Sequence, residues 1–134
     1  MRRPPAPVVS VVALALLVAG CGSPEPAASD GHDHAENSPV VDGARELAVT
    51  GKDLRFTPAR LEVAAGEDVT IVFTAADVAH DFTIEGAGVH VGAAAGQTAR
   101  GGLRIDEPGT YTFVCTVAGH ATAGMTGTLT VTEA

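Results

Sequence analysis

The run Tyr111-Thr112-Phe113-Val114-Cys115-Thr116-Val117-Ala118-Gly119-His120-Ala121-Thr122-Ala123-Gly124-Met125-Thr126-Gly127-Thr128-Leu129-Thr130-Val131 decides the reading of this chain. Both of its ends alternate. Tyr111 and Phe113 are interleaved with Thr110 and Thr112, and Leu129 and Val131 with Thr128, Thr130 and Thr132. Successive side chains of a strand point to opposite faces, so a period of two marks a half-buried strand. Between the two strands lie a thiol, an imidazole and a thioether, Cys115, His120 and Met125, with four residues separating each neighbouring pair. Cys115 continues the Tyr111–Phe113 face and so points toward the same interior. Gly119 and Gly124 directly precede His120 and Met125, where glycine makes unusual backbone angles or close approach cheap.

Working outward, the same alternation recurs. Leu47 and Val49, Leu61 and Val63, Val69, Ile71 and Phe73, and Leu103 and Ile105 each alternate with polar or small neighbours. Ala65-Gly66-Glu67-Asp68 and Asp106-Glu107-Pro108-Gly109 supply turn chemistry. No segment carries a long helical period, and Ala87 to Ala99 is too small and glycine-rich to assign. Many short strands at this spacing predict an all-β domain, a small antiparallel sandwich or barrel spanning residues 46–134.

His80 shares parity with Phe82 and Ile84, so it is expected to face the same core from a separate strand end. A buried histidine or a buried free cysteine is ordinary alone. Two in phase, followed by His120 and Met125, point to a metal. Two imidazoles, one thiolate and a weak thioether are the donor set of a blue-copper site. Structural zinc would normally take four strong Cys or His donors, and catalytic zinc would keep a position open for water. Tying a metal to two separated segments stiffens the site, which suits electron transfer better than substrate chemistry.

The amino-terminal part reads differently. Arg2 and Arg3 precede an apolar run from Val8 to Ala19 that is short for a bilayer span, which needs about 20 apolar residues. Residues 1–20 are therefore expected to be an export signal. Val18-Ala19-Gly20-Cys21 resembles a bacterial lipobox, which implies cleavage before Cys21 and lipid on that residue. The competing expectation, a Cys21–Cys115 disulfide, would leave the histidines and Met125 unexplained. Residues 22–45 are rich in Ser, Pro, Ala, Asp and Glu and read, with Cys21, as a flexible tether reaching about 25–30 Å. His32 and His34 within it could hold a metal only weakly. The formal charge of −8, with no basic patch or stacking aromatics, argues against nucleic acid and fits a basic partner or simple solubility.

From Leu54 to Val131 the chain resembles a cupredoxin of the plastocyanin and azurin superfamily. The likeness rests on Phe56-Thr57-Pro58, on Val78-Ala79-His80-Asp81-Phe82, and on Tyr111-Thr112-Phe113-Val114-Cys115 through Gly127. The four-residue gap between Cys115 and His120 is more like azurins and auracyanins than plastocyanins. The resemblance implies a Greek-key sandwich binding one type 1 copper ion, with His80, Cys115 and His120 as equatorial ligands and Met125 as the weak axial one. It also implies that His120 is the port for electrons, within a patch of small uncharged residues. The family commonly has asparagine after the first ligand. Here Asp81 stands in its place, expected either to accept a bond from Thr116 or to face solvent. His90 has no matching role.

The function so implied is a monomeric carrier of single electrons, lipid-anchored to the outer face of the cytoplasmic membrane and serving redox proteins such as a cytochrome or an oxidase. The alternative is an extracytoplasmic protein for copper delivery, storage or tolerance. An enzyme is not expected. A copper nitrite reductase needs a second copper site and a longer chain, and an oxidase dinuclear centre needs paired cysteines.

Overall fold

A computed structural model of the chain describes residues 36–134. The expected signal peptide, Cys21, His32 and His34 lie outside the described residues. Nine strands follow one another: β1 (Arg45–Lys52), β2 (Arg55–Thr57), β3 (Arg60–Ala64), β4 (Val69–Ala75), β5 (His80–Ile84), β6 (Val89–Ala93), β7 (Thr98–Leu103), β8 (Gly109–Val114) and β9 (Thr126–Thr132). They form a four-stranded sheet in the order β2-β1-β4-β7 and a five-stranded sheet in the order β3-β9-β8-β5-β6. The all-β sandwich expected from the alternation is what the chain forms.

Strand direction is more varied than the alternation suggested. β1 runs parallel to β4, and β3 runs parallel to β9, while the remaining neighbours are antiparallel. A period of two reports which face of a strand is buried, not the direction of its neighbour. Parallel neighbours need a crossover connection, and here each pair is separated in sequence by other strands. The unassigned stretch Ala87 to Ala99 contains all of β6 and the start of β7. Only Val89 and Val91 there are large and apolar, too short a run to separate strand from loop.

The core lies between the sheets. Val49, Ile71 and Phe73 from one sheet meet Phe82, Ile84, Phe113, Leu129 and Val131 from the other, all essentially inaccessible to solvent. Burying each such side chain contributes roughly 1.5–3 kcal/mol. Phe113 is central to the aromatic packing, with ring centroids 4.6 Å from Phe82 and 5.0 Å from Phe56. Cys115 and Met125 belong to the same buried cluster, so both sulfur donors are continuous with the core.

Part of the expected tether is docked on this domain. Ser38 donates its N–H to the His90 carbonyl at 2.9 Å and accepts from Gly102 N–H at 2.9 Å, bridging β6 and β7. The Asn37 side chain accepts from Gly92 N–H at 2.8 Å. Prolines, serines and small residues predict no core contribution, yet a few hydrogen bonds to the main chain suffice to add a short segment to open strand edges.

Candidate metal centre

The ligand loop is closed by the sheet itself. The last rungs of β8 and β9 are Phe113↔Gly127 and Val114↔Thr126, and Cys115 N–H continues the ladder to the Met125 carbonyl at 3.2 Å. Between them the chain winds through consecutive tight turns. His120 N–H bonds the Val117 carbonyl, Gly124 N–H bonds Ala121, and Met125 N–H returns to the His120 carbonyl at 3.0 Å. Gly119 and Gly124 adopt φ of 83° and 100°, the left-handed region that favours glycine. This winding returns His120 and Met125 to the end of the strand that carries Cys115.

His80 opens β5 and is 2% exposed. Its Nδ1 lies 3.1 Å from His120 Nδ1 and 3.9 Å from Cys115 Sγ, and Cys115 Sγ lies 3.4 Å from His120 Nδ1. One donor atom from each of the three residues thus falls within 4.8 Å of the others. Met125 is fully buried beside them. A Cβ built on Gly51 of β1 would lie 3.0 Å from the Met125 methyl and 3.2 Å from His80 Cβ, so the thioether and the first histidine share one wall. All four residues singled out from the sequence are therefore brought together. His90 is not among them.

The surroundings fix the donors. Asp81 donates its backbone N–H to Cys115 Sγ at 3.4 Å. Its carboxylate turns inward and accepts from Thr116 N–H at 2.9 Å, from the Thr116 hydroxyl at 2.7 Å and from the Thr83 hydroxyl at 2.9 Å. Asp81 is 6% exposed, and these bonds tie the two ligand-bearing segments together. Thr83 has one hydroxyl proton, which it gives to Asp81, so it accepts from His90 Nδ1–H across 2.8 Å. His90 thereby braces Asp81 from behind.

One residue of the site escaped the sequence reading. Asp77 Oδ1 lies 2.7 Å from His80 Nε2. Asp77 sits in a turn, where an aspartate reads as loop chemistry. The available signal was its position three residues before a candidate ligand, since metal-binding histidines commonly give their second N–H to a carboxylate. Backbone N–H bonds from Asp53 and then Val78, with a smaller contribution from His80, hold the Asp77 carboxyl well below its usual range.

Burial pushes the Cys115 thiol up from its ordinary value, against the opposing effect of N–H bonds from Asp81 and Val117. A proton is thus costly to remove without a cation, and a thiolate there needs one. Two imidazole nitrogens 3.1 Å apart beside a sulfur converge on one point, with His80 and Cys115 buried and His120 half-buried. With Met125 alongside, this is the arrangement of a type 1 copper site, and the soft sulfur donors select copper over hard cations.

Comparison with known proteins agrees. The cupredoxin-like domain family matches residues 10–131. A stretch of 38 residues is 53% identical to auracyanin-B of Chloroflexus aurantiacus, covering 28% of this chain and 16% of that protein. The solved structure of auracyanin B superposes with a TM-score of 0.63 at 24% identity, over 72% of this chain and 94% of that one. Auracyanin A, a "blue" copper protein from the same bacterium, superposes with a TM-score of 0.58 at 24% identity, over 66% and 99%. From its nine-stranded sandwich, its converging His80, Cys115, His120 and Met125, and this match across most of its length, the chain belongs to the cupredoxin-like family.

Proposed function

We propose that this protein carries single electrons at one copper ion bound by His80, Cys115, His120 and Met125, outside the cytoplasm and tethered to a membrane by lipid on Cys21. The observation that carries the reading is the convergence of two Nδ1 atoms and one Sγ, with His80 and Cys115 buried and His120 half-buried. Copper, when bound, supplies the one-electron couple. The protein's contribution is rigidity. His80 and the Cys115–Met125 loop come from different strands, and the Asp81–Thr116 bonds prevent them from separating. A site that does not rearrange imposes little penalty when charge arrives or leaves.

Electrons pass through His120. It is half-buried, whereas His80 is sealed, and its neighbours Ala118, Gly119, Ala121, Ala123 and Gly124 are exposed and small. A redox protein such as a cytochrome or an oxidase can approach this face closely.

The test adds Cu(II) to the metal-free domain and records visible and EPR spectra, with Cys115→Ser alongside. An intense thiolate-to-copper band with a reversible one-electron wave, both lost in the variant, is expected. A colourless complex, or colour that survives in Cys115→Ser, defeats the reading. Rapid surrender of the metal to a chelating acceptor would favour copper delivery instead. Membrane placement is checked by fractionating cells expressing the full chain and Cys21→Ala, which is expected to release the domain.

A further inference from the structure

His80 is the donor that reaches the centre from outside the ligand loop, and a side chain sets its orientation. Asp77 Oδ1 lies 2.7 Å from His80 Nε2, and Asp77 Oδ2 accepts Asp53 N–H at 2.8 Å. Asp53 and Leu54 are the two residues between paired Lys52 and Arg55, and they connect β1 to β2. Their φ values are 50° and 56°, the positive values found at non-glycine residues among the described ones. Two successive left-handed residues make the turn that matches strand twist, a turn normally built from Asn-Gly. With leucine at the second position that turn is intrinsically disfavoured. A second bond, Ala76 N–H to the Gly51 carbonyl at 2.9 Å, fastens the loop before His80 to the same end of β1.

A carboxylate is an acceptor at both oxygens. Only such a group satisfies the Asp53 N–H on one side and a His80 N–H on the other. In the neutral imidazole the proton of His80 therefore sits on Nε2, which turns the lone pair of Nδ1 toward Cys115 and His120.

We propose that Asp77 is the positioning residue of His80: clamped by the β1–β2 turn, it holds the proton on Nε2 and so presents Nδ1 to the metal. The geometry stands without the proposed function, but its consequence for copper rests on that reading. The role also dictates an unusual ranking of substitutions. Asparagine is nearly isosteric, yet its carbonyl is claimed by the Asp53 N–H that now bonds Oδ2, which leaves its NH₂ facing Nε2. A donor there drives the imidazole proton to Nδ1, on the metal side. Alanine offers neither donor nor acceptor and leaves both forms populated. A merely structural residue would tolerate asparagine better than alanine.

The experiment compares wild type, Asp77→Asn and Asp77→Ala, with Asp77→Ser as the second small variant should the alanine protein not fold. Long-range ¹⁵N–¹H spectra of the metal-free proteins at mildly alkaline pH report the tautomer, and competition with a chromophoric Cu(I) chelator reports affinity. We expect Nε2–H alone in wild type, Nδ1–H in Asp77→Asn, and a mixture in the small variants. Cu(I) affinity is expected to fall about 10–100-fold, most in Asp77→Asn. Asp77→Asn that keeps Nε2–H, or any altered tautomer with affinity within about twofold of wild type, overturns the proposal. If wild type itself binds no copper, the proposed function fails while the spectra still decide the tautomer.

Discussion

Gly127→Ala probes the base of the ligand loop. Gly127 is the direct cross-strand partner of Phe113, and a Cβ there would collide with Cε2 and Cζ of the Phe113 ring and lie 2.9 Å from the Ala59 carbonyl oxygen. The ring has nowhere to go. It is fully buried against Phe82 and Phe56, and the Ala59 carbonyl is engaged by Thr128 N–H at 2.9 Å. Overpacking of this kind costs about 1–3 kcal/mol, at the upper end where the neighbours cannot yield. Reduced entropy of the unfolded chain offsets about 0.4–1 kcal/mol. A net loss of about 2 kcal/mol is expected, or a fall in Tm of about 8–16 °C for a domain near 100 residues. Urea and thermal unfolding of the metal-free domain measure it. The same substitution in a Phe113→Leu background should cost at least 0.5 kcal/mol less, the coupling expected of residues in contact. A loss below about 0.5 kcal/mol, or an equal loss in both backgrounds, refutes the argument that Phe113 is sealed in place by its bare partner.

Asp81→Asn removes a negative charge beside the thiolate while keeping much of the bonding to Thr116 and Thr83. At an effective dielectric of about 20 the lost interaction is on the order of 1–2 kcal/mol, which raises the reduction potential by roughly 40–90 mV; voltammetry showing no shift, or a fall, refutes it. Gly51→Ala places a methyl 3.0 Å from both the Met125 methyl and the Phe73 ring, and should displace the thioether and change the copper spectrum while costing about 1–3 kcal/mol of stability; an unchanged EPR spectrum counts against the shared wall. Glu67 has its pKa lowered to about 2, first by Arg45 and then by Ala64 N–H, from 4.5. Its contribution is complete above that higher value and is lost as pH falls toward 2. Because Arg45 is about half exposed, the contribution is below about 1 kcal/mol. Urea midpoints measured across this window should fall less steeply for Glu67→Gln, and parallel pH profiles would show that the pair contributes nothing.

The donors were legible because their chemistry is rare in this chain and their parity matched the core. Cys115 followed Phe113, and His80 preceded Phe82, each two residues away on the same face. The parallel pairings β1–β4 and β3–β9 were not legible, since alternation is identical whichever way a neighbour runs. β6 was hidden by small residues, and the docking of Asn37 and Ser38 by its reliance on bonds to the main chain of strands distant in sequence. Asp77 and the Thr83–His90 brace were missed for a common reason. Each acts through geometry created by a distant segment: the β1–β2 turn for Asp77, and Thr83, seven residues away and paired opposite it across β5 and β6, for His90. A single sequence records residue types but not which turn will be folded against them.

The place of β9 has a consequence in time. It is the last strand of the domain, yet it lies inside the five-stranded sheet, between β3 and β8. During synthesis, amino terminus first, β3 and β8 must wait for it. Non-local pairing of this kind closes late. Until it does, Met125 has no strand to hold it, and Cys115 lacks the bond to the Met125 carbonyl that ends its ladder. The copper pocket is therefore among the last features to form. A partly emerged chain presents its thiol without the cage that distinguishes one metal from another. Metal choice is expected to follow folding rather than guide it, and pulse-labelled hydrogen exchange, with β9 amides protected no earlier in copper than without it, is the corresponding measurement.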